Sequence, residues 1–201
     1  MGKIFYIMGK SSSGKDTIYK DIVEHSDLNL KTIILYTTRP IRDGETHGVE
    51  YFFTDDENLK EIQQSGNLIE LRAYDTIPGV WKYFTANDSQ IDLTINDYLI
   101  IGTLVSYQNM KEYFGEQYLI PIYIEVDDGI RLQRALDRER TQDNPRYTEL
   151  CRRFLADDRD FSEENLVRAG IAKRFNNTDL KVILSQIISY IKDNISVEDA
   201  R

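Results

Sequence analysis

An apolar run, Ile4-Phe5-Tyr6-Ile7-Met8, leads straight into Gly9-Lys10-Ser11-Ser12-Ser13-Gly14-Lys15-Asp16-Thr17, and helix-compatible sequence follows. Few nine-residue stretches constrain a fold so strongly. Glycine at both ends of a four-residue spacer permits a tight turn and a close approach of backbone to a phosphate. The loop N–H groups then converge on one concavity, and the N-terminus of the following helix adds its partial positive charge. Lys15 supplies a point charge for the outer phosphates of a triphosphate. The expected ATP-binding residues are Gly9, Ser11, Ser12, Ser13, Gly14, Lys15, Asp16 and Thr17. One position departs from the usual pattern: Asp16 stands where a hydroxyl residue would hold Mg2+, which passes that expectation to Thr17.

A strand–loop–helix start of this kind belongs to an α/β architecture, and the rest of the chain keeps that rhythm. Strands are expected at Ile4–Met8, Thr32–Tyr36, Tyr98–Ile101 and Ile120–Val126, with a weaker fifth at Ala172–Phe175. Helices are expected at Thr17–His25, Ile130–Leu136 and Leu180–Ile195. The 201 residues suffice for one domain with appended lobes. Two regions break the alternation. Residues 37–92 carry Gly-containing turns and short alternating runs (Glu50–Thr54, Asn67–Tyr74, Val80–Ala86), as a small, mostly β lobe would. Residues 137–160 are densely charged, with Arg at 138, 140, 146, 152, 153 and 159; a solvated helix face is the ordinary reading of such a run.

Charge and cysteine content exclude several classes of function. With 25 Lys and Arg against 34 Asp and Glu, the net charge of -9 leaves no basic excess for broad nucleic-acid binding. The single cysteine, Cys151, excludes an intramolecular disulfide framework and any cysteine-rich metal site. His25 and His47 read as a helix-end and a turn residue, not as a nucleophile or metal pair. Met1–Met8 is too short for a signal peptide's apolar stretch, and no run approaches the roughly 20 apolar residues of a membrane span. A cytoplasmic protein without membrane or nucleic-acid partners is expected.

The segment Thr37-Thr38-Arg39-Pro40-Ile41-Arg42-Asp43-Gly44-Glu45-Thr46-His47-Gly48-Val49-Glu50-Tyr51-Phe52-Phe53 closely resembles the monophosphate-binding segment of guanylate kinases. Together with the phosphate loop, the Arg-rich segment and the Asn177–Leu180 entry to the last helix, the similarity covers most of the chain. It implies a P-loop NTPase fold: a doubly wound, five-stranded parallel sheet ordered 2-3-1-4-5, with a β-rich nucleotide-monophosphate lobe and a helical lid. The implied division is a single domain over 1–201, with core 1–36, 93–136 and 161–201, GMP-binding lobe 37–92 and lid 137–160.

Residue roles follow from the same resemblance. Arg39 and Arg42, three apart on a Gly-limited loop, would clamp one phosphate with two guanidinium forks, and Tyr51 would complete the cage. Surface pairing of the two arginines with Asp43 or Glu45 is the plainer alternative. Glu70 aligns with the glutamate that accepts guanine N1–H and N2–H, and Tyr83 and Thr85 with residues reaching the phosphate and the base. Arg134, Arg138 and Arg153 (or its neighbour Arg152) resemble lid arginines that act on the ATP phosphates and the transferring group; Lys15 and Arg39 complete the catalytic set. Asn177 and Thr178 fall where an adenine-side loop is expected.

Departures concentrate at the base. Phe84 replaces a glycine, Leu35 replaces a common serine, and Ile100-Ile101-Gly102-Thr103 replaces an Asp-rich segment. The expectation is ATP-dependent transfer to GMP, with dGMP as a second acceptor, Mg2+ as cofactor, ATP as co-substrate and a monomer or homodimer in solution. Two alternatives stay open: a kinase for another small phosphorylated acceptor, and a non-catalytic guanylate-kinase-like binding module.

Overall fold

The computed structural model describes residues 1–76 and 79–195. Its centre is β1 (Ile4–Met8), every residue of which is buried. Strand alternation sends Ile4, Tyr6 and Met8 to one face and Phe5 and Ile7 to the other. Two apolar layers result. One gathers α3 (Leu104–Phe114) and α6 (Glu163–Ala169) through Leu104, Tyr107, Met110, Leu166 and Ala169. The other gathers α1 (Lys15–Val23) and α7 (Leu180–Asn194) through Ile18, Ile22, Ile183, Ile187 and Ile191.

β1 is flanked in parallel by β7 (Tyr98–Gly102) and β8 (Leu119–Glu125). Beyond them lie β2 (Lys31–Thr32) on one edge and β9 (Arg174–Asn176) on the other. Counted along the chain among the core strands alone, the order is the expected 2-3-1-4-5. A second sheet, ordered β4-β3-β6-β5, is built from β3 (Tyr36–Thr37), β4 (Phe52–Phe53), β5 (Leu68–Thr76) and β6 (Gly79–Ala86). It also carries α2 (Asp56–Gln64), whose N-terminus is capped by the Asp55 side chain, so this part of the chain is less purely β than its alternating runs implied. The charged segment folds as α4 (Asp128–Arg140), a turn, and α5 (Tyr147–Asp160).

Several element boundaries differ from the expectation. The helix expected at Thr17–His25 begins two residues earlier, at Lys15, because Gly14 takes a left-handed conformation (φ 86°) and turns the chain directly into the first helical residue. The strand expected at Thr32–Tyr36 is divided between two sheets. Its first residue ends β2 and its last begins β3, while residues 33–35 cross the gap. There the Gln90 side chain replaces a neighbouring strand: its Oε1 accepts from the Ile34 N–H (2.8 Å) and its Nε2 donates to the Ile34 carbonyl (3.2 Å). The fifth strand lies at Arg174–Asn176, not Ala172–Phe175, because α6 stops at Gly170 and leaves Ala172 and Lys173 exposed in the connection. Helix α3 had no sequence expectation. It is launched by Thr103, whose hydroxyl accepts from the Ser106 N–H.

Candidate active site

The phosphate loop leaves β1 at Gly9 and folds back over its own end. Ser13 N–H donates to the Lys10 carbonyl (3.2 Å), with Ser12 at φ 63° in between. A left-handed residue inside such a turn points consecutive amides the same way, the backbone geometry of an anion nest. The loop is braced from behind by Asn177, whose Nδ2 donates to the Ser13 carbonyl (2.8 Å). Asn177 is buried, so its amide is committed to this brace and not free to meet a base; its neighbour Thr178 is exposed. The Lys15 ammonium lies 3.3 Å from the Asp16 carboxylate, and Asp16 and Thr17 are both exposed on the first turn of α1.

The charged segment lies over this loop. Arg138 Nη2 donates to Ser12 Oγ (3.3 Å), Arg153 Nη2 to Ser11 Oγ (3.2 Å) and Arg134 Nη2 to the Asn177 carbonyl (3.3 Å). Arg152 makes no hydrogen bond to the loop: it forms a two-pronged pair with Glu149 at 2.7 Å and is largely exposed, although it borders the same cleft as Arg153. The geometry thus separates two neighbouring arginines that the sequence left equivalent.

Arg131 had no sequence expectation and is the most enclosed arginine here, with 1% of its side chain exposed. Its Nε and Nη2 donate to Asp128 (2.9 and 2.7 Å), its Nη1 donates to the Ser11 carbonyl (3.1 Å), and its Cζ lies 4.4 Å from the Phe154 ring centroid. In sequence it was one arginine in a charged helix, with nothing to separate it from a solvated one. Two carboxylates of α5 also reach the loop. Asp157 accepts from the Ser11 N–H (2.7 Å) and Asp158 from Lys10 Nζ (2.6 Å).

On the lobe, Arg39 is 3% exposed and donates through Nη1 and Nη2 to the Glu45 carboxylate at 2.7 and 2.5 Å. This is the plainer pairing open from sequence, but it is largely enclosed and stacked: the Arg39 Cζ lies 5.1 Å from the Tyr51 ring centroid and 5.2 Å from that of Phe53. The hydrogen bonds from Arg39 are the main cause that pulls the Glu45 carboxyl down to about pKa 2. Tyr51 in turn meets Tyr83 edge-on at 5.7 Å, and burial raises the Tyr51 phenol above its ordinary value. β5 and β6 pair Glu70 with Thr85 and Arg72 with Tyr83. Thr85 Oγ1 donates to Glu70 Oε1 (2.9 Å). The structure therefore brings Arg39, Tyr51, Tyr83, Glu70 and Thr85 into one cluster. Phe84, on the opposite face of β6, stacks on Tyr36 with ring centroids 5.0 Å apart.

A cleft of about 1360 Å³ joins the two halves. Its walls include Ser11 and Ser12 of the loop, Arg131, Arg138 and Arg153 of α4 and α5, and Arg42, Asp75 and Trp81 of the lobe. Arg42 reaches the cleft over the Trp81 ring, 5.9 Å from its centroid. Loop residues Ser11 and Ser12 and the lobe's Arg42 thus open onto one volume, whose lining holds more arginines than carboxylates. Among the described residues no three His, Cys, Asp or Glu side chains cluster as a metal site would require. No helix among the described residues is long and apolar enough to cross a membrane.

Comparison with known proteins agrees with this geometry. A family model described as guanylate kinase matches residues 1–149. The chain is 31% identical over 138 residues to a guanylate kinase of Malacoplasma penetrans, covering 69% of this chain and 58% of the relative. It is 36% identical over 134 residues to one of Bacillus cereus, covering 67% of this chain and 54% of the relative. A match to one of Mycoplasma capricolum is 26% identical over 199 residues, covering 99% of this chain and 58% of the relative. The chain thus spans little more than half the length of these curated relatives. Among solved structures, a guanylate kinase from Anaplasma phagocytophilum superposes with a TM-score of 0.66 at 19% identity, over 97% of this chain and 87% of that one, which shows the shared fold. With its phosphate loop, its two-arginine lobe and a family match over residues 1–149, this chain belongs to the guanylate kinase family.

Proposed function

We propose that the protein transfers the γ-phosphoryl group of ATP to the phosphate of GMP, giving ADP and GDP. The observation that carries this reading is the shared cleft: loop residues Ser11 and Ser12 and the lobe's Arg42 line the same volume. Names of relatives support the acceptor, since the proteins matched from Malacoplasma penetrans and Bacillus cereus are called guanylate kinases.

In this reading the core (1–36, 93–136 and 161–201) holds the donor, the lobe (37–92) holds the acceptor and the lid (137–160) closes over both. The loop amides and Lys15 hold the donor phosphates. Arg138 and Arg153, already directed at loop hydroxyls, turn to the transferring group, with Arg134 beside them. Arg39, aimed by Glu45, and Arg42 hold the acceptor phosphate with Tyr51, while Glu70, Tyr83 and Thr85 face the rest of the acceptor. The acceptor oxygen is already anionic at neutral pH, so transfer needs no side-chain base. Alignment and charge neutralisation carry the chemistry. Mg2+, when bound with the donor, would supply further neutralisation of the phosphates, with Thr17 as its protein ligand.

The test is ADP release with MgATP across GMP, dGMP, AMP, UMP, CMP and IMP. Turnover that requires one of these monophosphates supports phosphoryl transfer. Absence of turnover on all six, together with absence of ATP binding, leaves a binding module instead.

A further inference from the structure

The acceptor end of the lobe holds a group that none of these roles absorbs. Arg72 lies two residues after Glu70 on β5, hence on the same face of the strand. Its Nε donates to Glu70 Oε2 (3.0 Å) and its Nη2 to Glu70 Oε1 (3.2 Å). Thr85 Oγ1 adds a third donor to Glu70 Oε1. An ionised carboxylate offers about four lone-pair sites, so roughly one is left on Glu70. A base edge carrying two adjacent donors, such as guanine N1–H with N2–H, needs two.

Arg72 itself is under-used. A guanidinium has five N–H groups. Two go to Glu70, and among the described residues no acceptor takes the other three, although only 12% of the side chain is exposed. A nearly buried guanidinium with spare donors is complete only when an oxygen acceptor joins it. The surroundings supply none. The Tyr6 hydroxyl, within electrostatic range of both Arg72 and Glu70, is fully buried with no hydrogen bond of ordinary geometry. Tyr6 also fills the space beside Gly102, where any Cβ would collide with its hydroxyl. Glu70, whose side chain is itself fully buried, thus keeps about one lone-pair site beside the uncommitted N–H groups of Arg72.

We propose, resting on the acceptor reading above, that Arg72 is a specificity-determining residue. It withdraws the second carboxylate site and offers donors, so the protein accepts, alongside GMP, monophosphates whose base presents one N–H next to a carbonyl and lacks an adjacent amino group. Hypoxanthine in IMP has this edge: N1–H meets the remaining site on Glu70 and O6 meets Arg72. Guanine shares N1–H and O6 but leaves its 2-amino group without an acceptor.

The test measures kcat/KM for GMP and IMP with MgATP in the wild type and in Arg72→Ala and Arg72→Lys. Lysine keeps the buried charge balanced, so it preserves the fold if alanine does not, yet it cannot form the two-pronged pair. The expected result is IMP use within tenfold of GMP in the wild type, and a GMP-to-IMP ratio raised roughly tenfold in the variants, about the worth of one hydrogen bond to a charged group. A ratio unchanged in both variants, or a wild type that prefers GMP by several hundredfold, overturns the proposal. If no acceptor turns over, the phosphotransfer reading fails by itself. Calorimetric binding of GMP and IMP to the same three proteins then decides the role of Arg72 by the same ratio.

Discussion

Arg39 and Glu45 form a two-pronged, largely enclosed ion pair, with Nη1 and Nη2 of the arginine at 2.7 and 2.5 Å from the two carboxylate oxygens. Glu45 also accepts from the Arg42 N–H (2.9 Å), so one carboxylate orders both arginines of the lobe. The pair has a pH consequence. Glu45 titrates at about 2 when folded and near 4.5 when unfolded, so between these values the unfolded chain binds more protons. Its contribution to stability is therefore complete above about pH 4.5 and fades as pH falls toward 2. Glu45→Gln removes this contribution. Thermal melts from pH 6 to 2 should show a shallower acid loss in the variant, with stability at pH 7 lower by roughly 1–3 kcal/mol. Parallel acid profiles would show that the pair does not form.

Arg152 and Arg153 offer a paired comparison. Arg153 reaches Ser11 Oγ, whereas Arg152 is held by Glu149 in solvent. Arg153→Ala should lower kcat by about 10²-fold, the typical loss of one preorganised donor. Arg152→Ala should stay within about twofold, as exposed ion pairs contribute little. Steady-state kinetics of the two variants decide between them, and equal losses would reject the assignment.

Lys15→Ala tests the loop directly. Its ammonium lies on the first residue of α1, beside the amides that would surround the outer phosphates. The expected outcome is a fall in kcat/KM of roughly 10²–10³-fold with an unchanged melting temperature for the ligand-free protein. Arg42→Ala, by contrast, should act mainly through the acceptor KM.

Asp157 takes the Ser11 amide that a phosphate oxygen would otherwise meet, and sets a negative charge beside the loop. Its nearest cation, Arg131 Nη1, is 3.6 Å away. Asp157→Asn should tighten ATP binding severalfold, as removal of a like charge at short range through protein and water is worth about 1 kcal/mol. The gain should shrink as salt rises. Titration calorimetry at two ionic strengths checks both statements; weaker ATP binding in the variant would instead make Asp157 a support of the nucleotide-binding conformation.

Gly102→Ala forces a methyl group into the Tyr6 hydroxyl, which is buried and has nowhere to swing. The cost should be about 1–3 kcal/mol by overpacking. Tyr6→Phe alone removes a buried hydroxyl that lacks a partner and should be neutral or stabilising, and the double variant should regain part of the loss. Denaturant melts of the four proteins give the coupling; full additivity would mean that the two groups do not meet.

The sequence by itself determined whatever depends on neighbours along the chain. The loop from Gly9 to Thr17 was legible because glycine spacing, a preceding apolar strand and a following helix are local requirements of one turn. The parallel core was legible because its buried strands must be continuous apolar runs. Tertiary structure decided the rest. Whether Arg131, Arg152 or Arg153 faces the loop depends on how α4 and α5 pack, since a charged helix looks alike from every side in sequence. The division of residues 32–37 between two sheets depends on Gln90, 56 positions beyond Ile34, supplying the hydrogen bonds of a missing strand. Glu70 was visible as a carboxylate on a strand, but its lone pairs are claimed by Arg72 and Thr85, and only the folded hairpin sets those three groups within reach. Local conformation follows from backbone sterics over a few residues, whereas which charges meet is settled by packing between segments distant along the chain.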